Sequence, residues 1–242
     1  MRPEADKLSL SICANLKANV LHKTKGIVFR FTKYGETSII VNIFTEVFGL
    51  QSYIVNGVRS SSKRSKIALF QPLTLLDLVV YYKENANILR IKEVKCYHPY
   101  QSITQGIRKS AIAMFINEVL NKAVKEQSHT EEIHNFISHS LRVLDTQLHP
   151  ENFHLIFLLG LSKHLGFGPN LTEEIIGGHW IDQVEEKLLK KLMQADYETS
   201  VSMNYDQRQT LLLSILRFYG NHIDNFGEMK SLPVLREVLQ ST

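Results

Sequence analysis

Cysteine is nearly missing: the 242 residues hold two, Cys13 and Cys96. Two isolated cysteines build neither a disulfide framework nor a zinc site, so a reducing, cytoplasmic setting is expected. No run of about eighteen apolar residues exists, which argues against a membrane-spanning helix. The N-terminal stretch carries Glu4, Asp6 and Asn15 without a long apolar centre, so it does not read as a secretory signal. The chain also lacks a GxxxxGK[ST] phosphate loop, an HExxH pair, a Cys/His cluster and a nucleophile motif. Gly166-Phe167-Gly168 ends a helical pattern, whereas a dinucleotide loop follows a strand and opens a helix. Histidine is plentiful, yet His134 and His139, like His149 and His154, are five apart, a spacing that does not share one helix face. No catalytic residue, metal or cofactor is therefore expected, and the chain reads as a non-enzyme. A hydrolase whose site is assembled from distant residues is the minor alternative.

What is present is an ordinary globular composition, 44% hydrophobic and 21% charged, with an uneven charge distribution. Residues 21–100 hold twelve Lys/Arg against five Asp/Glu, a net of +7, and residues 101–242 hold thirteen against seventeen, a net of −4. A basic half and an acidic half suggest two kinds of partner, with a polyanion docking on the first.

The hydrophobic period also changes along the chain. Residues 1–20 show neither alternation nor a complete helical face and read as an N-terminal arm. Five strands follow: Gly26 to Thr32, Ser38 to Phe44, Leu50 to Val58, Leu73 to Tyr82 and Ile88 to Tyr97. No long helical pattern separates them, so a small β-barrel over residues 21–98 fits better than a parallel sheet. His98-Pro99-Tyr100 marks the boundary, because Pro99 disfavours helix at the residue before it. Residues 99–242 then read as helical. Ile103, Ile107, Ala111, Met114, Phe115 and Val119 define one face, and Ile133, Phe136, Ile137, Leu141 and Leu144 a second. Phe153 to Leu165 is apolar all round, which predicts a buried central helix ended by Gly166 and Gly168-Pro169. Val184 to Met193, Thr210 to Tyr219 and a last helix with Pro233 in its first turn complete the pattern. The fold class expected is α+β and multi-domain, an N-terminal barrel followed by an all-helical C-terminal domain.

The segment Arg59-Ser60-Ser61-Ser62-Lys63-Arg64-Ser65-Lys66 carries four cations and no acid after a strand end. Small hydroxyl residues let backbone N–H and side-chain O–H groups approach phosphates. Arg30 and Lys33 on the first strand, with Lys92 and Lys95 on the last, could lie on the same side of a barrel as this loop. The candidate nucleic-acid-binding set is thus Arg30, Lys33, Arg59, Lys63, Arg64, Lys66, Lys92 and Lys95, against the plainer reading of a solvated loop. Lys230 and Arg236 either add a second contact or serve packing. Tyr34 and Tyr53 are candidates to stack bases, whereas Phe29 and Phe31 read as core.

Several phrases resemble the RecO family of recombination mediators. They are Lys25-Gly26-Ile27-Val28, Tyr34-Gly35-Glu36-Thr37-Ser38, Phe44-Thr45-Glu46-Val47-Phe48-Gly49, Asn56-Gly57-Val58-Arg59 and Phe70-Gln71-Pro72-Leu73. Leu165-Gly166-Phe167-Gly168-Pro169 and Met229 to Arg236 continue the match toward the C-terminus. Each phrase is short, and their order makes them specific. The resemblance implies an OB-fold (a five-stranded Greek-key barrel) and binding to single- and double-stranded DNA. It implies annealing of complementary strands, including those coated by single-stranded DNA-binding protein (SSB), through contact with the acidic, apolar-ended SSB C-terminal tail. It further implies association with RecR, help in loading RecA at gaps, and a bacterial, cytoplasmic, nucleoid-associated setting. Many members carry four cysteines after the Leu-Gly-Phe segment. Residues 170–197 have none, so a reduced insert is expected there and zinc is not carried over. The competing reading is an OB-fold protein–protein adapter without direct DNA annealing.

Overall fold

The computed structural model describes residues 20–58, 66–84, 86–125 and 129–240. Five strands come first: β1 (Val20–Tyr34), β2 (Ser38–Thr45), β3 (Gly49–Val55), β4 (Leu75–Tyr82) and β5 (Leu89–Cys96), with a 3-10 helix at Lys66–Phe70 before β4. Their pairing closes a ring. The first half of β1 runs antiparallel to β4 and its second half antiparallel to β2. β2 pairs with β3 and β4 with β5, both antiparallel, and a short parallel contact of Tyr53 with Leu89 and Ile54 with Arg90 completes the barrel. This order is that of an OB-fold.

One strand serves two neighbours because β1 is bulged, its register to β2 slipping between Val28 and Arg30. A bulge inserts one residue and reverses the side-chain alternation beyond it. Before the slip Val28 points into the barrel interior, and after it Phe31 does. Phe29 and Arg30 between them both point outward. The two phenylalanines are both core, as their spacing suggested, yet they enter different cores. Gly26 lies where the closing sheet is tightest: a Cβ there would sit 2.5 Å from the Ile43 Cγ2 and 2.8 Å from the Leu78 Cδ1. Gly26→Val should therefore overpack the barrel and lower stability by about 1–3 kcal/mol, read as a lower urea midpoint with unchanged slope.

The interior is filled by Val28, Ile39, Val41, Ile43, Tyr53, Leu76, Leu78 and Val80, the inward positions of alternating strands. At one end the rings of Phe48 and Tyr82 stack at 4.0 Å, with His22 edge-on to both. Most strand limits shift from the sequence reading, and three of the shifts have a clear cause. β1 begins at Val20, because Val20 to Lys25 pairs with Tyr82 to Asp77 although its side chains carry no apolar alternation. β3 stops at Val55, where Asn56 leads into Gly57 with φ of +69°. β4 starts at Leu75, since Leu73 itself takes a positive φ of +68°.

Seven helices follow: α1 (Ile107–Ala123), α2 (Thr130–Thr146), α3 (Phe153–His164), α4 (Thr172–Ile176), α5 (Gln183–Gln194), α6 (Tyr205–His222) and α7 (Leu232–Gln240). The central helix α3 is buried continuously from Phe153 to Leu159, as its all-round apolarity required. Only the five-residue α4 had no sequence counterpart. The helices do not form a separate core. They pack on an outward patch of the barrel made by Ile27, Phe29, Phe44, Leu73 and Leu75, so one apolar core crosses the boundary. No helix among the described residues is long and apolar enough to cross a membrane.

The link between the halves is latched by Asp145, near the end of α2. Its carboxylate accepts the backbone N–H groups of Gln101 at 2.9 Å, Ser102 at 2.8 Å and Ile103 at 3.1 Å. Lys109 donates to the Asp145 carbonyl at 2.8 Å and to the Ser102 hydroxyl at 2.7 Å. Burial alone would raise the Asp145 pKa, but these N–H donors outweigh it and hold the carboxyl below its usual range.

Candidate nucleic-acid interface

The eight candidate cations divide into three groups. Arg59, Lys63 and Arg64 lie outside the described residues. The chain on either side of them is anchored, because Val58 and Phe70 are both buried in the barrel interior. Lys66, exposed, opens the 3-10 helix that carries Phe70 inward.

Arg30 belongs to an outer band running across β1, β2 and β3. It pairs with Asn42, which pairs with Ser52. The next row is Thr32, Ile40, Ile54, Arg90 and Tyr81, so Arg90 sits outward at the seam where β3, β5 and β4 meet. Lys33 is exposed at the far end of β1, and Lys92 is exposed at the irregularity in β5 between the Val80–Ile91 and Val79–Glu93 pairs. Residues 30–34, 38–42, 52–55 and 88–92 contain no Asp or Glu. A polyanion lying along this band would meet cations and half-exposed apolar or amide groups, with no carboxylate within those four stretches. Arg90 was missed from the sequence, although its place between inward Leu89 and half-buried Ile91 marks it as an outward residue.

Lys95 does not share that band. It faces Asp77, which faces Lys25, across β5, β4 and the first half of β1, and the next row is Glu93, Val79 and Lys23. With Glu46 these residues line a hollow of about 500 Å³. Three lysines against three carboxylates leave it near neutral, and Lys25 is further drawn to within 5.7 Å of the Tyr97 ring. The expectation that Arg30, Lys33, Lys92 and Lys95 share one side therefore fails at Lys33, which pairs with inward Ile39 at the barrel end, and, more widely, at Lys95. The reason at Lys95 is the length of β1, whose two halves belong to different sheet faces.

Of the aromatic candidates, Tyr53 is buried in the barrel, and that burial pushes its phenol pKa up, so it is not a stacking platform. Tyr34, the last residue of β1, is 54% exposed, and Tyr81 is half-buried beside Arg90. Tyr82 is spent on Phe48.

On the helical half, Arg236 donates to Gln209 at 2.8 Å, which is packing between α7 and α6. Lys230 is exposed, and its backbone N–H is held by Glu118 at 2.8 Å. Two hollows meet at Leu148, which is 86% exposed. The first, between the start of α1 and the loop after α2, combines exposed Ile107 with Arg108 and Lys109. The second, about 630 Å³, is walled by Phe153 and Ile156 and contains Arg208. The Arg208 guanidinium is buried, donates to Asn152 at 2.9 Å and to the Met203 carbonyl at 3.3 Å, and has no carboxylate within ion-pair distance among the described residues. Among the described residues no group of His, Cys, Asp and Glu could hold a metal ion.

Residues 19–100 match the model of the recombination protein O N-terminal family, and residues 105–186 that of its C-terminal family. The chain is 36% identical over 240 residues to the DNA repair protein RecO of Bacteroides fragilis, covering 90% of this chain and 99% of that one. It is 38% identical over 233 residues to the RecO of Flavobacterium psychrophilum, covering 89% and 98% respectively. With both domains matched in order and relatives aligned over nearly their whole length, the chain belongs to the RecO family of DNA repair and recombination proteins.

Proposed function

We propose that this chain is a non-enzymatic recombination mediator that binds single- and double-stranded DNA on the outer band of its barrel and anneals complementary strands, including SSB-coated ones. The observation that carries this reading is the acid-free band containing Arg30 and Arg90; the sequence adds Arg59, Lys63 and Arg64 between Val58 and Lys66. Annealing needs no bond-making by the protein. It needs two polyanions held close with their repulsion screened, and the cations supply that while releasing counterions. Sequence preference should be weak, because phosphate contacts carry no base code.

The test is annealing of complementary oligonucleotides over a salt series, with chelator and without nucleotide. Acceleration should survive chelation and fade with salt, losing roughly 0.7 log units per log of salt for each single-strand phosphate contacted. The variant Arg30→Ala/Arg90→Ala should reduce that slope by about one to two contacts, whereas Lys25→Ala/Lys95→Ala should leave it within error. Equal effects of the two variants would remove the outer band from the DNA site. If reversing the charge of the 59–66 loop leaves DNA handling intact and abolishes capture of a protein partner, the adapter reading takes its place.

In this reading the chain acts with RecR to assist RecA loading at gaps, in the bacterial cytoplasm at the nucleoid. The acidic, apolar-ended tail of SSB needs cations beside apolar surface on a half that is acidic overall. The paired hollows at Leu148 offer apolar surface with Lys109 and Arg108 at the rim, Arg108 paired with Glu151 at 3.4 Å, and Arg208 within, Glu198 also lining the second hollow. Leu148→Glu should weaken binding of a synthetic tail peptide by about tenfold or more, measured by fluorescence anisotropy, because it places a carboxylate against an acidic ligand. Unchanged affinity would move the tail elsewhere.

A further inference from the structure

We propose that the corner between α4 and α5, centred on Trp180, is a docking surface for a positively charged protein segment. Trp180 is 87% exposed, and its indole has no ring partner among the described residues. Leu171, at the start of α4, and Val184, in the first turn of α5, are 61% and 53% exposed. Isolated exposed apolar residues are common, but a tryptophan held out with two aliphatic side chains is the composition of an interface centre.

The loop that presents it is fastened at both ends. Gly177 and Gly178 both take positive φ, the Gly177 N–H donates to the Glu173 carbonyl at 2.9 Å, and the His179 N–H donates to the Ile176 carbonyl at 3.1 Å. After the indole, Asp182 and Glu185 cap α5 reciprocally at 3.1 and 2.7 Å. A pre-ordered loop lowers the entropy lost when a partner seats on it.

Charge decides which partner. Residues 170–186 carry five carboxylates, Glu173, Glu174, Asp182, Glu185 and Glu186, and no Lys or Arg. A nucleic-acid backbone is repelled from such a surface, whereas a Lys/Arg-bearing protein segment is steered to it. A guanidinium or ammonium group can also lie over the indole face, the aromatic ring that attracts cations best. This corner is separate from the cationic band of the barrel, so the inference does not rest on the DNA-binding reading.

Trp180 is the sole tryptophan, so its emission reports on the site directly. The full chain would be titrated with a synthetic alternating Arg-Leu peptide, a length-matched Glu-Leu peptide and oligo(dT), and separately diluted alone, with circular dichroism confirming that the fold persists. The Arg-Leu peptide should change the emission saturably. Its apparent Kd should rise about tenfold in the Glu173→Lys/Glu186→Lys variant, which spares the capping residues. Trp180→Ala should weaken binding of the same peptide, followed by anisotropy of a label on it, with partial rescue by Trp180→Phe. The proposal is overturned if the Glu-Leu peptide or oligo(dT) changes the emission as strongly, or if the Arg-Leu peptide changes nothing. An emission change that follows only the protein's own concentration also overturns it, and assigns the corner to a second copy of the chain.

Discussion

Asp145→Ala should be the most destabilising single substitution outside the apolar core, lowering the unfolding free energy by about 3–5 kcal/mol. The carboxylate is buried and accepts three consecutive backbone N–H groups from Gln101, Ser102 and Ile103. Hydrogen bonds to a charged acceptor are worth more than neutral ones, and removing the acceptor strands all three donors away from water. Asn cannot rescue it fully, because its amide NH2 would face donors. The segment so held is the connection from β5 to α1, and Tyr100 in it donates its hydroxyl to the Leu73 carbonyl at 2.7 Å. Loss of the latch should therefore loosen the junction of barrel and helices without touching the cationic band. Urea unfolding would measure the first effect, and annealing under conditions where the variant stays folded the second. A stability loss below about 1 kcal/mol would mean that the 101–103 segment is held by its other contacts.

Much of the barrel was legible because β-branched alternation is strong where one face of a strand is buried. β2 is the clear case, with Ile39, Val41 and Ile43 inward. The first half of β1 was not legible. It carries Lys23, Thr24 and Lys25, and it is a strand because β4 offers a partner edge, which is tertiary information. The bulge at Phe29 was equally hidden, since Arg30 is flanked symmetrically by two phenylalanines and nothing local marks the slip. That slip turns Arg30 outward, while the length of β1 carries Lys95 into a row with Lys25, so Lys95 was grouped with Arg30 although their rows diverge. Tyr53 shows the same limit from the other side. Alternation places it inward with Val41 and Phe31, but a tyrosine beside basic residues also looks like a stacking candidate until its burial is known. The tryptophan corner carries no periodicity at all. The sequence marks residues 170–197 only as a reduced, cysteine-free insert and does not single out Trp180.

The fold should also lose stability in two separable steps as pH falls, and the first belongs to histidine. His134 and His154 are fully buried, and neither has a ring nitrogen in hydrogen-bonding geometry with a partner among the described residues. Burial pushes the His134 pKa down to about 4, with Lys25 adding to the shift and outweighing the Asn135 amide. Burial, together with the nearby Arg208 charge, pushes His154 down to about 3. In the unfolded chain both titrate near pH 6.5. Between that value and about 4 the unfolded state therefore binds protons that the native state refuses, so stability falls as pH drops, by roughly 1.4 kcal/mol per pH unit for each histidine. Below the native pKa values this contribution levels off. The second step comes from carboxylates held below their usual range: Asp145 by its backbone donors, and Glu118 by the Ser231 hydroxyl and the Lys230 and Ser231 N–H groups, each against the opposing effect of burial. Their stabilisation is complete above about pH 4 and is lost as the pH falls through their depressed values. His154→Leu keeps an apolar side chain beside Phe115 and removes one titrating group, so the stability slope between pH 6 and about 4.5 should fall by about one proton, and His134→Leu should remove another. Urea midpoints across that range would show it. A slope that neither substitution changes would mean that both rings protonate in the native state near their ordinary pKa.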